Sequence, residues 1–114
     1  MKEIKAVIQP ARLARVREAF RKIPDFPGMT VSRAEGSGYH PDKPASAGIK
    51  SELTDYSEKV RIEIVAPDAM VERLLSIIRE TCHTGQPGDG VVWVTSIEAF
   101  VRIRVSSPST GEAS

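Results

Sequence analysis

The stretch "KVRIEIVAPDAMVERLLSIIRETC", residues 59–82, decides the fold. Its opening residues alternate, with Val60, Ile62 and Ile64 on one face and charged residues between them, the pattern of a half-buried strand. Beyond Pro67 the period changes. Val71, Leu74, Leu75 and Ile78 recur at helical spacing as a buried stripe, and Asp68 is placed to N-cap that helix. The unit is a strand followed by a helix. "KEIKAVIQ" (2–9) repeats it upstream, with Ile4, Ala6 and Ile8 on one face. Pro10 suits a first helical turn, and Leu13, Val16, Phe20 and Ile23 then recur at helical spacing. "DFPG" (25–28) breaks that helix, and Met29 to Glu35 read as a strand. Downstream, "VVWVTSIEAFVRIRV" (91–105) reads as one strand or a pair with a kink near Ser96.

The order is strand, helix, strand, long loop, strand, helix, strand. A β-α-β-β-α-β chain folds as an α+β, ferredoxin-like sandwich with both helices on one sheet face. The other face would be bare, although Val7, Val65 and Trp93 alternate onto it. Oligomerisation, a trimer with sheets facing inward being one form, would cover those side chains.

The 114 residues, 40% hydrophobic and 27% charged, suit a single domain with a real core. A formal net charge of +1 supplies no global field for nucleic acid or a membrane surface, so any anion site must be local. The basic run Arg12, Arg15, Arg17 and Arg21 reads as a solvated helix surface rather than a docking face. The single Cys82 excludes an intramolecular disulfide and a CxxC motif. Neither a signal peptide nor a run of ~20 apolar residues is present, which points to a cytoplasmic protein without direct membrane insertion.

Residues 37–58 contain eight Gly, Ser or Pro in twenty-two positions and no periodicity, the mark of a functional or disordered loop. The tail, 106–114, reads as disordered. "HTGQPGDG" (83–90) spends three glycines on eight residues. Gly85 is explained as a helix C-cap; Gly88 and Gly90 are left over. Glycines let backbone N–H groups turn inward around a phosphate, although spacing alone favours a plain helix-to-strand connector. Arg102 and Arg104 lie two apart in an extended segment and so on one side. Paired guanidiniums suit a phosphate between them. The alternative is a solvated edge with each arginine paired to a carboxylate such as Asp55 or Glu58. Loop and arginines bracket one strand, so two subunits side by side could unite them. No GxSxG, HExxH or paired-carboxylate pattern supports an enzyme. His40, Asp42 and His83 lack recurrent metal-ligand spacing, and the few aromatics form no RNA-stacking run.

Together these residues resemble the PII signal-transduction family from Met1 to about Val105. "TGQPGDG" (84–90) is similar to the family's TGxxGDGK loop. "MKEIKAVIQPARLARVREAF" (1–20), "GMTV" (28–31), "GSG" (36–38), "KVRIEIVAPD" (59–68) and "VRIR" (101–104) support it in that order. The resemblance implies a homotrimer binding adenine nucleotide between subunits, with a long loop at 37–58 that docks on a partner. On it, Thr84, Gly85, Gln86, Pro87, Gly88, Asp89 and Gly90 would cradle phosphates while Arg102 and Arg104 reach them from the neighbour. Gly28, Met29, Thr30, Glu63 and Val65 would line the adenine and ribose region, and Gly36, Ser37 and Gly38 would hinge the loop beside the phosphates. Lys59, with Tyr39 and His40, would meet a small anionic effector.

The departures from the family pattern carry expectations of their own. Gln86 and Val91 stand where the family usually has lysines, which implies ADP or AMP over ATP. His40 replaces the glutamine that helps magnesium and 2-oxoglutarate bind, and Glu52 replaces the modifiable tyrosine. The expected function is a non-catalytic switch for a membrane transporter or its regulator, with bicarbonate as a candidate effector. The rival is a metal-binding ferredoxin-like trimer using His40, Asp42 and His83 in metal-ion tolerance.

Overall fold

The computed structural model describes residues 1–37 and 56–104. Strand β1 spans Lys2–Ile8, helix α1 Leu13–Arg21, β2 Thr30–Gly36, β3 Ser57–Ala66, helix α2 Val71–Cys82 and β4 Gly90–Ser96. A 3-10 turn leads into each helix, at Pro10–Arg12 and Asp68–Met70. The strands form one antiparallel sheet in the order β2-β3-β1-β4. This is the α+β, ferredoxin-like arrangement that the alternating periods imply.

The alternation decides what is buried. Ile4, Ala6 and Ile8 of β1 and Val60, Ile62, Ile64 and Ala66 of β3 meet Val16 and Phe20 of α1 and Leu74, Ile78 and Cys82 of α2. Phe26 stacks on Phe20 at 4.7 Å between ring centroids and packs against the core. Val71 and Leu75, expected in the α2 stripe, flank the core and are only partly buried; Cys82 continues the stripe instead. The opposite sheet face carries Glu3, Lys5 and Val7, then Arg61, Glu63 and Val65, then Val91 and Trp93, because successive strand residues point to opposite sides. Val91 and Trp93 are exposed there.

Three expectations change. Asp68 does not cap α2; it opens the preceding 3-10 turn and accepts an ion pair from the Met1 amino group at 2.9 Å. That hydrogen bond and charge hold its carboxyl below the usual carboxylate range. Ser57 and Glu58, assigned to the long loop, extend β3 because β2 continues to Gly36 and pairs with both. The carboxy-terminal segment is a single strand: β4 ends at Ser96, and 97–104 carry no strand. Residues 38–55 and the tail from 105 onward, including the expected disordered 106–114, lie outside the described residues. Among the described residues no helix is long and apolar enough to cross a membrane.

All the irregular features of interest gather at one sheet end. The register pairs Ile8 with both Val60 and Gly90, and Gly36 with Ser57. The end of β1, the end of β2 and the starts of β3 and β4 therefore share one sheet end, with the β2–β3 pair running three residues further. Gly90 fixes how the glycine loop enters the sheet. Its φ is +111°, and a Cβ there would lie 2.1 Å from the Val7 carbonyl oxygen. Gly85, at φ +82°, has open space around the same position. Gly85→Ala should cost about 1–2 kcal/mol for backbone conformation alone. Gly90→Ala should add a further ~1–3 kcal/mol of overpacking. Urea unfolding midpoints check this; equal shifts for the two variants would contradict it.

Candidate functional site at the loop-bearing sheet end

The loop 83–90 is cross-linked by one carboxylate. Asp89 accepts hydrogen bonds from the Thr84 amide at 2.8 Å, the Gly85 amide at 3.0 Å and the Thr84 hydroxyl. The Gln86 amide in turn donates to the Thr84 hydroxyl oxygen at 3.2 Å. His83 stands beside the same carboxylate, Nδ1 to Oδ2 3.7 Å. The Thr84 hydroxyl and amide, then the Gly85 amide and the His83 charge, hold the Asp89 carboxyl below its ordinary range against a smaller opposing effect of burial. Asp89 therefore braces the loop from inside, and its partners are loop atoms.

The bracing leaves the Gly88 carbonyl turned toward the open sheet face. Lys59 Nζ donates to it at 2.8 Å and Gln9 Nε2 at 3.1 Å. Lys59 belongs to β3, next to the base of the long loop, and Gln9 follows β1 directly. The Lys59 stem runs against Gly36, where a Cβ would stand 3.0 Å from its Cγ. Four chain segments thus meet around one ammonium: the end of β1, the end of β2, the start of β3 and the glycine loop.

The expected residues fall into three places. Gly36, Lys59, Thr84, Gly88, Asp89 and Gly90 converge at the loop-bearing end, with Gly85, Gln86 and Pro87 forming the exposed outer turn. Thr30 and Glu63 are directly paired across β2 and β3, with Gly28 and Met29 just before them and Val65 two residues beyond Glu63. That group sits roughly 13 Å along the strand from Lys59 at ~3.3 Å per residue. Arg102 and Arg104 follow the opposite end of β4, where Ser96 pairs with Lys2. Arg102 Cζ lies 5.2 Å from the Phe100 ring centroid, Arg104 is exposed, and Val101 and Ile103 beside them are almost fully so. Among the described residues no ion pair joins either arginine to a carboxylate, Glu58 included. Gly38, Tyr39, His40, Asp42, Glu52 and Asp55 lie outside the described residues, and Ser37 is exposed at their border.

Grooves run along both edges of the sheet and end near this cluster. One, about 710 Å³, lies between β4 and α2 and is lined in part by Cys82, His83, Asp89 and Val91. The other, about 730 Å³, lies between β2 and α1 and includes Arg33, Glu58 and Lys59. Burial raises the Cys82 thiol pKa, so Cys82 acts as a core residue rather than a thiolate. Among the described residues no group of three or more His, Cys, Asp or Glu side chains could hold a metal ion. Gln9 went unnoticed in the sequence; only its place after Val7 in the alternation puts it on the open face.

A ferredoxin-like domain whose glycine loop meets the ends of β1 and β2 and the start of β3 around one lysine is the class that this architecture defines. The family model described as "Nitrogen regulatory protein P-II" matches residues 1–107. A nitrogen regulatory protein P-II of Azospirillum brasilense is 38% identical over 104 residues, covering 91% of this chain and 92% of that one. The Bradyrhizobium diazoefficiens protein of that name is 38% identical over 113 residues, 99% and 96% of the two chains. P-II 1 of Escherichia coli is 36% identical over 104 residues, 91% and 92%. The chain belongs to the P-II family of regulatory signal-transduction proteins.

The Asp89 brace has a pH signature. A depressed carboxylate contributes order that is fully present above its ordinary pKa, about 3.9, and is lost as pH falls through the lower folded value. The Asp89 carboxyl carbon resonance should show its main titration step only below about pH 4. Asp89→Asn should abolish that acid transition. A midpoint above about 4 in the unmodified protein would contradict the hydrogen-bond network.

Proposed function

We propose that this protein is a homotrimeric, non-catalytic switch that binds adenine nucleotide between subunits and controls a partner through residues 37–58. The observation that carries the reading is the hydrogen bond from Lys59 to the Gly88 carbonyl. It joins the start of β3, at the foot of the long loop, to the loop that would hold phosphates. A ligand entering there changes the surroundings of Lys59, and the long-loop conformation that best fits the ligand becomes populated. The partner is a membrane transporter or its regulator, and a small anion such as bicarbonate joins the nucleotide beside Lys59.

Assembly follows from what one chain leaves uncovered. Val91, Trp93, Val101 and Ile103 are exposed, too much apolar surface for a solvated sheet face and its tail. Two copies side by side would set Arg102 and Arg104 of one against the glycine loop of the other. The groove between β4 and α2 then becomes a closed cleft, to which the neighbouring copy would bring Gly28, Met29, Thr30, Glu63 and Val65 for adenine and ribose.

The nucleotide preference rests on charge. A third phosphate needs a further cation, and neither Gln86 nor the exposed Val91 supplies one. A charge-assisted hydrogen bond is worth roughly 1.5–3 kcal/mol. ADP or AMP should therefore bind more tightly than ATP with magnesium present, by calorimetric titration. Val91→Lys should tighten ATP about tenfold or more while changing AMP little. ATP binding more tightly than both diphosphate and monophosphate in the unmodified protein would overturn the preference.

A further inference from the structure

We propose that the outer face of α1 is a second docking surface, fitted to an acidic segment of a partner protein. It lies apart from residues 37–58 and from the glycine loop, and it stands independently of the nucleotide reading.

Helix α1 departs from what a helix does for its own stability. The macrodipole favours anions at the amino end and cations at the carboxyl end. Helix α2 follows that rule, with Glu72 in its first turn and Arg79 in its last. Helix α1 has no acidic residue in its first turn; it follows Arg12 directly and has Arg15 as its third residue. Arg12 and Arg15 stand one turn apart, as do Arg17 and Arg21, spacings at which like charges repel. Glu18 is the single carboxylate among the five cations Arg12, Arg15, Arg17, Arg21 and Lys22. Among the described residues it pairs with Arg21 alone, at 3.4 Å, and the other four cations make no ion pair.

The type of cation separates an interface from a wetted surface. Protein interfaces are rich in arginine and poor in lysine, because the planar guanidinium meets a carboxylate through two parallel hydrogen bonds and sheds water more readily. Residues 12–22 hold four arginines to one lysine, whereas the rest of the chain holds six to five. Arg15, Arg17, Arg21 and Lys22 are exposed. Arg33 extends the patch: it lies on the helix side of β2, paired with the buried Val60, and lines the groove between β2 and α1 together with Arg17. Leu13 and Val31 in that groove offer apolar contact beside the charges, and Glu35 and Glu58 keep to its loop-bearing end. The helices cover the sheet face opposite Val91 and Trp93, so copies that meet through the open face leave α1 outward.

The crest of the helix selects the partner. It carries Ala11, Ala14 and Glu18, with no large apolar side chain to enter a bilayer. Glu18 at the centre opposes the continuous charge of a nucleic acid, and a net charge of +1 does nothing to draw one in. Separate carboxylates on a peptide segment can meet the arginines on either side of Glu18, while an apolar residue among them fits Leu13 and Val31.

Fluorescence anisotropy of a labelled peptide rich in glutamate and aspartate, titrated with the full chain, tests this. Duplex DNA and phosphatidylserine vesicles are titrated in parallel. The peptide should bind in dilute buffer and be released near 1 M salt, where the Debye length falls to about 3 Å. Arg15→Glu and Arg17→Glu should each weaken it about threefold, and together about tenfold. Arg15→Lys with Arg17→Lys keeps the charge and should still lose about twofold or more. Arg73→Glu on α2, an equal change of charge, should stay within about twofold. The double reversal should unfold at the same temperature or higher, since it puts carboxylates where the macrodipole favours them, and its ADP affinity should be unchanged. Binding and stability moving in opposite directions separate a docking role from a structural one. Failure of ADP binding would sink the nucleotide reading and leave this comparison intact. No binding of the peptide, unchanged binding in the double reversal, equal weakening by Arg73→Glu, or tighter binding of DNA or vesicles than of peptide would overturn the proposal.

Discussion

A single carbonyl, that of Gly88, ties the loops of this protein to its sheet. It takes hydrogen bonds from Lys59 and Gln9, so the ends of the two central strands both hold the glycine loop. It can do so only because Asp89 gathers the Thr84 and Gly85 amides behind it and Gly90 lets the backbone pass the Val7 carbonyl. A side chain at 88 would meet both nitrogens at ordinary contact distance but strain the backbone at φ +92°, and one at 90 would collide with backbone. The glycines are therefore constraints of contact as well as of conformation.

That arrangement explains how so small a domain can carry a signal. Lys59 lies on β3, a strand paired on both sides and rooted in the core through Val60 and Ile62. Its stem runs against Gly36 while its ammonium is spent on a loop carbonyl. The long loop leaves β2 at Gly36, against the same stem. On the proposed reading, a change at the ammonium would reach the loop base through the Lys59 stem. The two ends of the sheet have different roles: one bears the loops, while the other pairs the Met1 amine with Asp68 and leads to the exposed Arg102 and Arg104.

The sheet and both helices were legible because burial imposes periods that a sequence displays. Ile4, Ala6 and Ile8, and Val60, Ile62 and Ile64, are read as faces and are found as core. Contacts between distant segments leave no such mark. Asp68 has the local look of a helix cap, yet its partner is the chain's first residue, sixty-seven positions away. "VRIR" has the period of a strand, but a strand needs a neighbour to pair with, and no described strand pairs with 97–104. Ser57 and Glu58 carry no strand signal and join the sheet because β2 reaches them. At the site, the glycine loop announced itself by composition and Lys59 by the family resemblance. Gln9 did not, since one polar residue after a strand is ordinary and its meaning lies only in the carbonyl it touches.

The central claim, a pocket built from the loop of one subunit and the arginines of the next, is tested most directly by mixing two damaged proteins. Arg102→Ala alone and Asp89→Ala alone should each bind ADP poorly. Unfolded together and refolded, they should regain full-affinity sites at about a quarter of the total, the share that random mixing places between an intact loop and an intact arginine. Full affinity in Arg102→Ala by itself, or no recovery in the mixture, would contradict a site shared between subunits.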